Sequence, residues 1–186
     1  MRVFGIDPGS TRTGYGCIES DGRRHQMVVC GAVATSARAT FPEKLLAIHR
    51  QLGELLASAC PDCVAVENVF YATNVRSALQ LGHARGVALL AAIETGVPVV
   101  EYTPAEIKRA VVGYGRADKV QVQQMIKLLL GLRTVPTPND AADALAVAVC
   151  HLHHVGGPVW AAIASGSARS GGRQARSWRH YQPPGA

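Results

Sequence analysis

Four carboxylates could carry chemistry in this sequence. Asp7 ends the apolar run Val3-Phe4-Gly5-Ile6 and is followed at once by Pro8-Gly9. Glu67 closes Val64-Ala65-Val66. Asp140 and Asp143 interrupt the stretch NDAADALAVAV three residues apart, so they share one face of a helix. Singly, each has an ordinary explanation. Asp-Pro-Gly suits a β-turn. Glu67 could end its strand in solvent. Asp140 could be the third residue of a capped first turn, where the helix dipole favours an acid. Asp143 could be an exposed helix acid. Together they suggest something else. If the strands ending in Asp7 and Glu67 are parallel neighbours, the two acids share a rim, and an alanine-rich helix can bring two more against it. Such a cluster persists only if cations neutralise it or some members hold protons. Oxygen donors without His or Cys favour hard ions, Mg²⁺ with Mn²⁺ as a substitute. Two such ions roughly 4 Å apart suit in-line displacement at a phosphodiester: one activates water, the other stabilises the leaving oxygen.

The elements that must position these acids are legible from period and punctuation. Residues 1–7, 13–19 and 26–34 read as three short strands, with turns at Pro8-Gly9-Ser10 and Ser20-Asp21-Gly22. Their short connections imply an antiparallel meander. The period then changes. Thr40-Phe41-Pro42-Glu43 is a capping box that opens an amphipathic helix over 41–59. Residues 64–67 form a strand, 74–94 a helix and 97–101 a strand. Thr103…Glu106 and Asp118…Gln121 open helices to about 111 and about 130. Thr137-Pro138-Asn139-Asp140 caps a last helix to about 153. A meander followed by strand–helix–strand units predicts an α/β fold: a mixed five-stranded sheet with helices on both faces. Residues 1–155 form one domain. From 156 to 186 composition turns to Gly, Ser, Arg and Pro, and a disordered basic tail is expected there.

Composition is consistent with this reading. The chain has 186 residues, 48% of them hydrophobic, enough for a core without disulfides or structural metal. Net charge is +6, which suits a polyanionic partner. Part of the excess comes from Arg169, Arg173, Arg176 and Arg179. No leader pattern is visible and no apolar run approaches the roughly 20 residues that span a bilayer, so a cytoplasmic protein without membrane association is expected. Five cysteines are an odd number in mostly apolar surroundings, which points to buried, reduced thiols. Cys60-Pro61-Asp62-Cys63 is a single CxxC. Zinc would need further ligands, for which His151, His153 and His154 are a poor substitute.

Other residues suggest how a nucleic acid could be held. Phe70 and Tyr71 follow Glu67 closely, and an exposed aromatic there could stack on an unpaired base; a buried loop anchor is the plainer alternative. Lys108, Arg109, Arg116 and Lys119 flank the loop Val112-Gly113-Tyr114-Gly115, an arrangement suited to phosphate contact or simply to a solvated face. Arg76 and Arg85 could equally be salt-bridge residues. Ala78, Gly82 and Gly86 recur every fourth residue. Such a stripe lets another backbone approach, and two helix-interior glycines cost roughly 1 kcal/mol each without it.

GIDPGSTRTGYG, VENVF, SALQLGHARG, VVGYGRADK and NDAADALAVAVCH, in that order, resemble the RuvC family of bacterial Holliday-junction resolvases. The resemblance covers about residues 1–155. It implies a ribonuclease-H-like fold and a homodimer, paired through the helix bearing Ala78, Gly82 and Gly86. It implies symmetric Mg²⁺-dependent cutting of four-way junction DNA during recombination and repair, leaving 5′-phosphate and 3′-hydroxyl ends. Catalytic and metal-holding roles fall on Asp7, Glu67, Asp140 and Asp143, DNA contacts on Phe70, Lys108 and Lys119, and partnership on the RuvA–RuvB complex. Arg116 joins the DNA contacts by its place in the basic loop. The alternatives are an actin-like ATPase or kinase, a pre-ribosomal RNA nuclease that shares the GIDPG opening, and a non-catalytic junction-binding protein.

Overall fold

Alternation along the strands divides the core into two layers. Phe4, Ile6, Cys17, Val64 and Val66 pack with α1 (Phe41–Ala59) and α2 (Val75–Ile93) on one face of the sheet. Val3, Ile18 and Ala65 pack with α3 (Pro104–Val112), α4 (Lys119–Leu129) and α5 (Asn139–Val155) on the other. Successive strand side chains point to opposite faces. Asp7 and Glu67 therefore belong to the α5 side, two residues beyond Gly5 and Ala65.

The computed structural model describes residues 1–68 and 74–156. Its sheet has the order β3 (His25–Ala34), β2 (Arg12–Ser20), β1 (Arg2–Asp7), β4 (Cys63–Glu67), β5 (Val99–Tyr102). The meander β1–β2–β3 is antiparallel, and β4 and β5 run parallel to β1. This is the mixed five-stranded sheet expected from the sequence. The fifth strand begins later than the predicted 97–101. Pro98 lends its carbonyl to Val64 N–H at 2.9 Å but has no N–H of its own, so the regular ladder starts after it.

Three capping boxes form where the sequence placed them, at Thr40/Glu43, Thr103/Glu106 and Asp118/Gln121. The fourth does not. The residue that caps α5 is Pro138, which has no side-chain oxygen to offer, and no side-chain cap bond forms there. Asp140 thus lies one position nearer the helix start than a capping box requires, and its carboxylate is not spent on capping.

α5 is buried along most of its length, from Ala141 to Leu152. It lies close to the sheet because glycines face it. Gly5 and Gly16 pair across β1 and β2, and Gly14 pairs with Asp7. A Cβ on Gly5 would fall on the Ala144 carbonyl, and one on Gly14 on the Asp140 carbonyl. These three glycines form a groove in which the backbone of an alanine-rich helix can rest.

All five cysteines are free. Cys17, Cys63 and Cys150 are buried, as the composition suggested, but Cys60 is exposed. Burial pushes the Cys63 thiol up to about 11. Among the described residues no helix is long and apolar enough to cross a membrane. The aromatic pair Phe70 and Tyr71, and the basic tail from residue 157 on, lie outside the described residues.

Candidate active site

The parallel pairing of β1 with β4 aligns Ile6 with Val66, so Asp7 and Glu67 emerge side by side at the C-terminal rim. Asp7 has its carboxyl pushed well above the usual range. Burial is the main cause; the charge of Glu67, a hydrogen bond with it, and the charges of Asp143 and Asp140 add to the effect. Two carboxyls can hydrogen-bond only if one keeps a proton. The proton belongs to the Asp7–Glu67 pair, both of whose members are raised. Glu67 is raised by burial first and then by Asp143, while Lys119 and Lys108 work the other way. Asp143 is raised by burial and lowered in part by Lys119.

The cations have specific seats. Lys119 Nζ lies 2.5 Å from Asp143 Oδ2. Lys119 opens α4, where the helix dipole disfavours a positive charge, so the acids opposite hold it there. Burial alone would lower its pKa, but its bond to Asp143 and the charges of Asp143, Asp7 and Asp140 raise it. Glu67, Lys108, Lys119 and Asp143 line a cleft of about 270 Å³, floored by Pro104, Ile107, Val122 and Ala146. Arg116 is exposed on the loop between α3 and α4 and is not among the cleft residues. Arg85 bridges to Glu101, the salt-bridge role that was one of its readings.

Sequence reasoning missed Arg12. Its guanidinium lies 3.9 Å from Asp140 Oδ2 at the mouth of the same rim. Thr13 beside it is fully buried and donates to Gly9 O at 2.9 Å, closing the loop that links Asp7 to Arg12. The signal was present as a lone cation in STRTG, directly after the turn that Asp7 opens. Also missed were the glycines opposite α5, of which Gly14 and Gly16, two residues apart in TGYG, match one strand face.

Among the described residues, no three His, Cys, Asp or Glu side chains already form a metal-holding cage. The donor set nonetheless fits a hard divalent ion. All four acids offer oxygen, and their charge is offset by the raised proton affinity of Asp7 and Glu67 and by the Lys119 ammonium, both of which a cation can displace. This crowding has a consequence for stability. An acid whose folded pKa is raised binds protons more tightly in the fold than in the unfolded chain. Its contribution to stability therefore falls as pH rises from the unfolded value, about 4, through the raised one. In EDTA, Asp7→Asn should melt above wild type by a margin that grows with pH across that window. At about 2–4 °C per kcal/mol for a chain of this size, a margin of several degrees is expected in calorimetry. A constant or shrinking margin would contradict the crowding.

Comparison with known proteins bears on what the site does. The family model described as Crossover junction endodeoxyribonuclease RuvC matches residues 3–151. A protein of that name from Trichlorobacter lovleyi is 48% identical over 183 residues, 98% of this chain and 100% of the relative. Another, from Koribacter versatilis, is 54% identical over 154 residues, 82% of this chain and 93% of the relative. The structure of Thermus thermophilus RuvC in complex with Holliday junction substrate superposes with a TM-score of 0.75 at 34% identity, covering 91% of this chain and 99% of that one. The yeast mitochondrial Holliday junction resolvase Ydc2, 16% identical with a TM-score of 0.60 over 81% of this chain and 77% of that one, shares the fold.

Proposed function

The chain belongs to the RuvC family of crossover junction endodeoxyribonucleases, and on that premise we propose that it resolves four-way DNA junctions with the acidic rim of β1, β4 and α5. The observation that carries the proposal is the meeting, at one rim, of acids separated by more than a hundred residues, beside a cleft that holds two lysines. A carboxylate cluster alone repels DNA; with Lys108 and Lys119 alongside it, the surface can receive a phosphate.

RuvC-family nucleases depend on metal. In this chain Asp7, Glu67, Asp140 and Asp143 would hold Mg²⁺, two ions per site, with Mn²⁺ able to substitute. Bound metal lowers the pKa of the attacking water and offsets charge on the departing 3′ oxygen. The protein's own groups do the rest. The proton that Asp7 and Glu67 hold between them must leave before both carboxylates can take a cation, so cleavage should fall in acid. Lys119 turns from Asp143 towards the phosphate, and Lys108 steadies the same group from α3. Arg12 draws the backbone to the rim and keeps Asp140 oriented. Phe70 is carried over from the family as the base-stacking residue, and Arg116, by its place in the basic loop, is a phosphate contact further from the cleft. The products carry 5′-phosphate and 3′-hydroxyl ends, which a ligase can join. The work of such an enzyme is recombination and repair, alongside RuvA–RuvB. The arginine-rich tail adds sequence-independent attraction to DNA.

A second site in register with the first requires two copies. The outer face of α2 offers Val75, Leu79 and Ile93, 77%, 60% and 62% exposed, with Leu90 in line. Ala78, Gly82 and Gly86 lie exposed among them, and a Cβ on either glycine would meet nothing within 4 Å. Among the described residues no element exploits these glycines. A symmetry mate would, and a two-fold axis through α2 presents two sites to two scissile phosphates. The test is a synthetic four-way junction in Mg²⁺ beside a linear duplex of the same sequence. Wild type should make paired, symmetric cuts in the junction and spare the duplex. Leu90→Asp should sediment as a monomer and, at equal concentration, lose paired cutting by at least tenfold. Equal cleavage of duplex and junction would refute the assignment; a dimeric, fully active Leu90→Asp would refute the α2 interface alone.

A further inference from the structure

The far end of α5 carries histidines that the acidic site does not use. His153 lies in its last turn, 13 residues from Asp140, roughly 20 Å at 1.5 Å per residue. His25 opens β3. Their ring centroids are 5.8 Å apart and their planes tilted by 48°.

The hydrogen bond of His153 fixes which nitrogen it presents, and that of His25 allows the same choice. His153 Nδ1 is 2.8 Å from Ala110 O. A carbonyl only accepts, so Nδ1 carries the proton and Nε2 keeps its lone pair. His25 Nδ1 is 2.9 Å from Ser20 Oγ, which already accepts Gly22 N–H at 3.1 Å. A hydroxyl oxygen has two lone pairs, so it can also accept from His25 Nδ1 and leave that Nε2 free. Anchoring one ring nitrogen to a carbonyl or hydroxyl is how proteins orient metal-ligating histidines. Both rings are half-buried, and neither forms an ion pair among the described residues. Burial, and then the charge of His153, lower the proton affinity of His25, which keeps its ring available as a neutral donor.

The spacing fits a shared ion. With metal–nitrogen bonds of about 2.0–2.1 Å and near-tetrahedral angles, two imidazole centres fall roughly 5–6 Å apart. We propose that His25 and His153 form a site for a borderline divalent ion of the zinc class, clipping the β2–β3 hairpin to the last turn of α5. No third His, Cys, Asp or Glu completes a cage among the described residues, so water fills the remaining positions. The site is chemically orthogonal to the acidic rim: imidazoles take zinc, nickel or copper, whereas the carboxylates take hard ions. It is also unrelated to the CxxC, the feature that first raises zinc in the sequence.

The test uses the full-length protein, stripped with EDTA and returned to excess Mg²⁺ so that the acids are occupied. Titration calorimetry with zinc chloride should give one saturable equivalent. His25→Gln and His153→Gln should each weaken it at least about tenfold, a loss comparable to or greater than that from disturbing a metal ligand's supporting partners. His154→Gln should leave it unchanged, because that ring turns away to stack on Tyr102 at 4.9 Å. Junction cleavage in Mg²⁺ should be unaffected by His25→Gln. If His153→Gln fails to fold, proton–nitrogen spectra of the wild-type imidazoles decide: zinc should move the Nε2 signals of His25 and His153. Absence of saturable zinc binding by wild type, undiminished binding in both variants, or an equal loss in His154→Gln would overturn the site.

Discussion

Asp7→Asn is expected to bind a four-way junction at least as tightly as wild type and to cut it about a thousandfold more slowly or not at all. The two halves of this expectation have one cause. Asp7 is the acid most crowded by the others, raised by burial, Glu67, Asp143 and Asp140 together. An amide there keeps the shape and can still hydrogen-bond Glu67, but it removes one negative charge from the place where a cation must be held. Metal assistance is worth several kcal/mol of transition-state charge stabilisation. Losing about 4 kcal/mol of it lowers the rate about a thousandfold. Binding has the opposite sign, because DNA phosphates approach a rim that repels them less. Gel shift in the absence of cleavage and a single-turnover assay in Mg²⁺ separate the two. A variant that cuts at the wild-type rate would remove Asp7 from the site; one that neither binds nor cuts would make its role architectural.

Gly5→Ala is expected to destabilise the protein by about 3 kcal/mol, the upper part of the usual overpacking range. That corresponds to roughly 6–12 °C in melting temperature for a chain of this size. Alanine is a better strand residue than glycine, so local propensity argues the other way. The cost arises across the layer boundary. The new methyl would meet the Ala144 carbonyl and lie 2.9 Å from Ala148 N. Both are backbone atoms of a buried helix and cannot turn aside. α5 must lift, taking Asp140 and Asp143 away from Asp7 and Glu67. A displacement of about 1 Å at reacting groups can cost a hundredfold in rate, so junction cleavage should fall by about that factor in whatever fraction remains folded. Gly53→Ala is the matched control. It lies within α1, a Cβ there would meet nothing within 4 Å, and the substitution should stabilise by up to about 1 kcal/mol. Identical melting curves for Gly5→Ala and wild type would mean that α5 is not seated on the glycines.

The two variants differ in how far the sequence announced them. Asp7 was conspicuous, a charge closing an apolar run. Gly5 was one small residue in that run, and nothing within several positions of it hints that a helix more than a hundred residues later must rest there. The capping residues show the same contrast. Thr40/Glu43, Thr103/Glu106 and Asp118/Gln121 were readable because both partners lie within four residues. The Thr137/Asp140 box had the right spacing but did not form, because Pro138 took the capping position and left Asp140 to the site.

By itself, then, the sequence determined the element types and their order, the two-layer alternation, and the identity of the acids whose ordered motifs mark the family. Those features depend on periods and hydrogen bonds that close within a few residues. Tertiary structure decided that β1 and β4 run side by side, that α5 lies on Gly5, Gly14 and Gly16, that Asp7 and Glu67 crowd each other enough to raise both, and that Lys119, Arg12 and the His25–His153 pair have the neighbours they do. Each of these is a contact between residues far apart along the chain. Its energy depends on burial and distance, quantities that exist only once the chain has closed on itself.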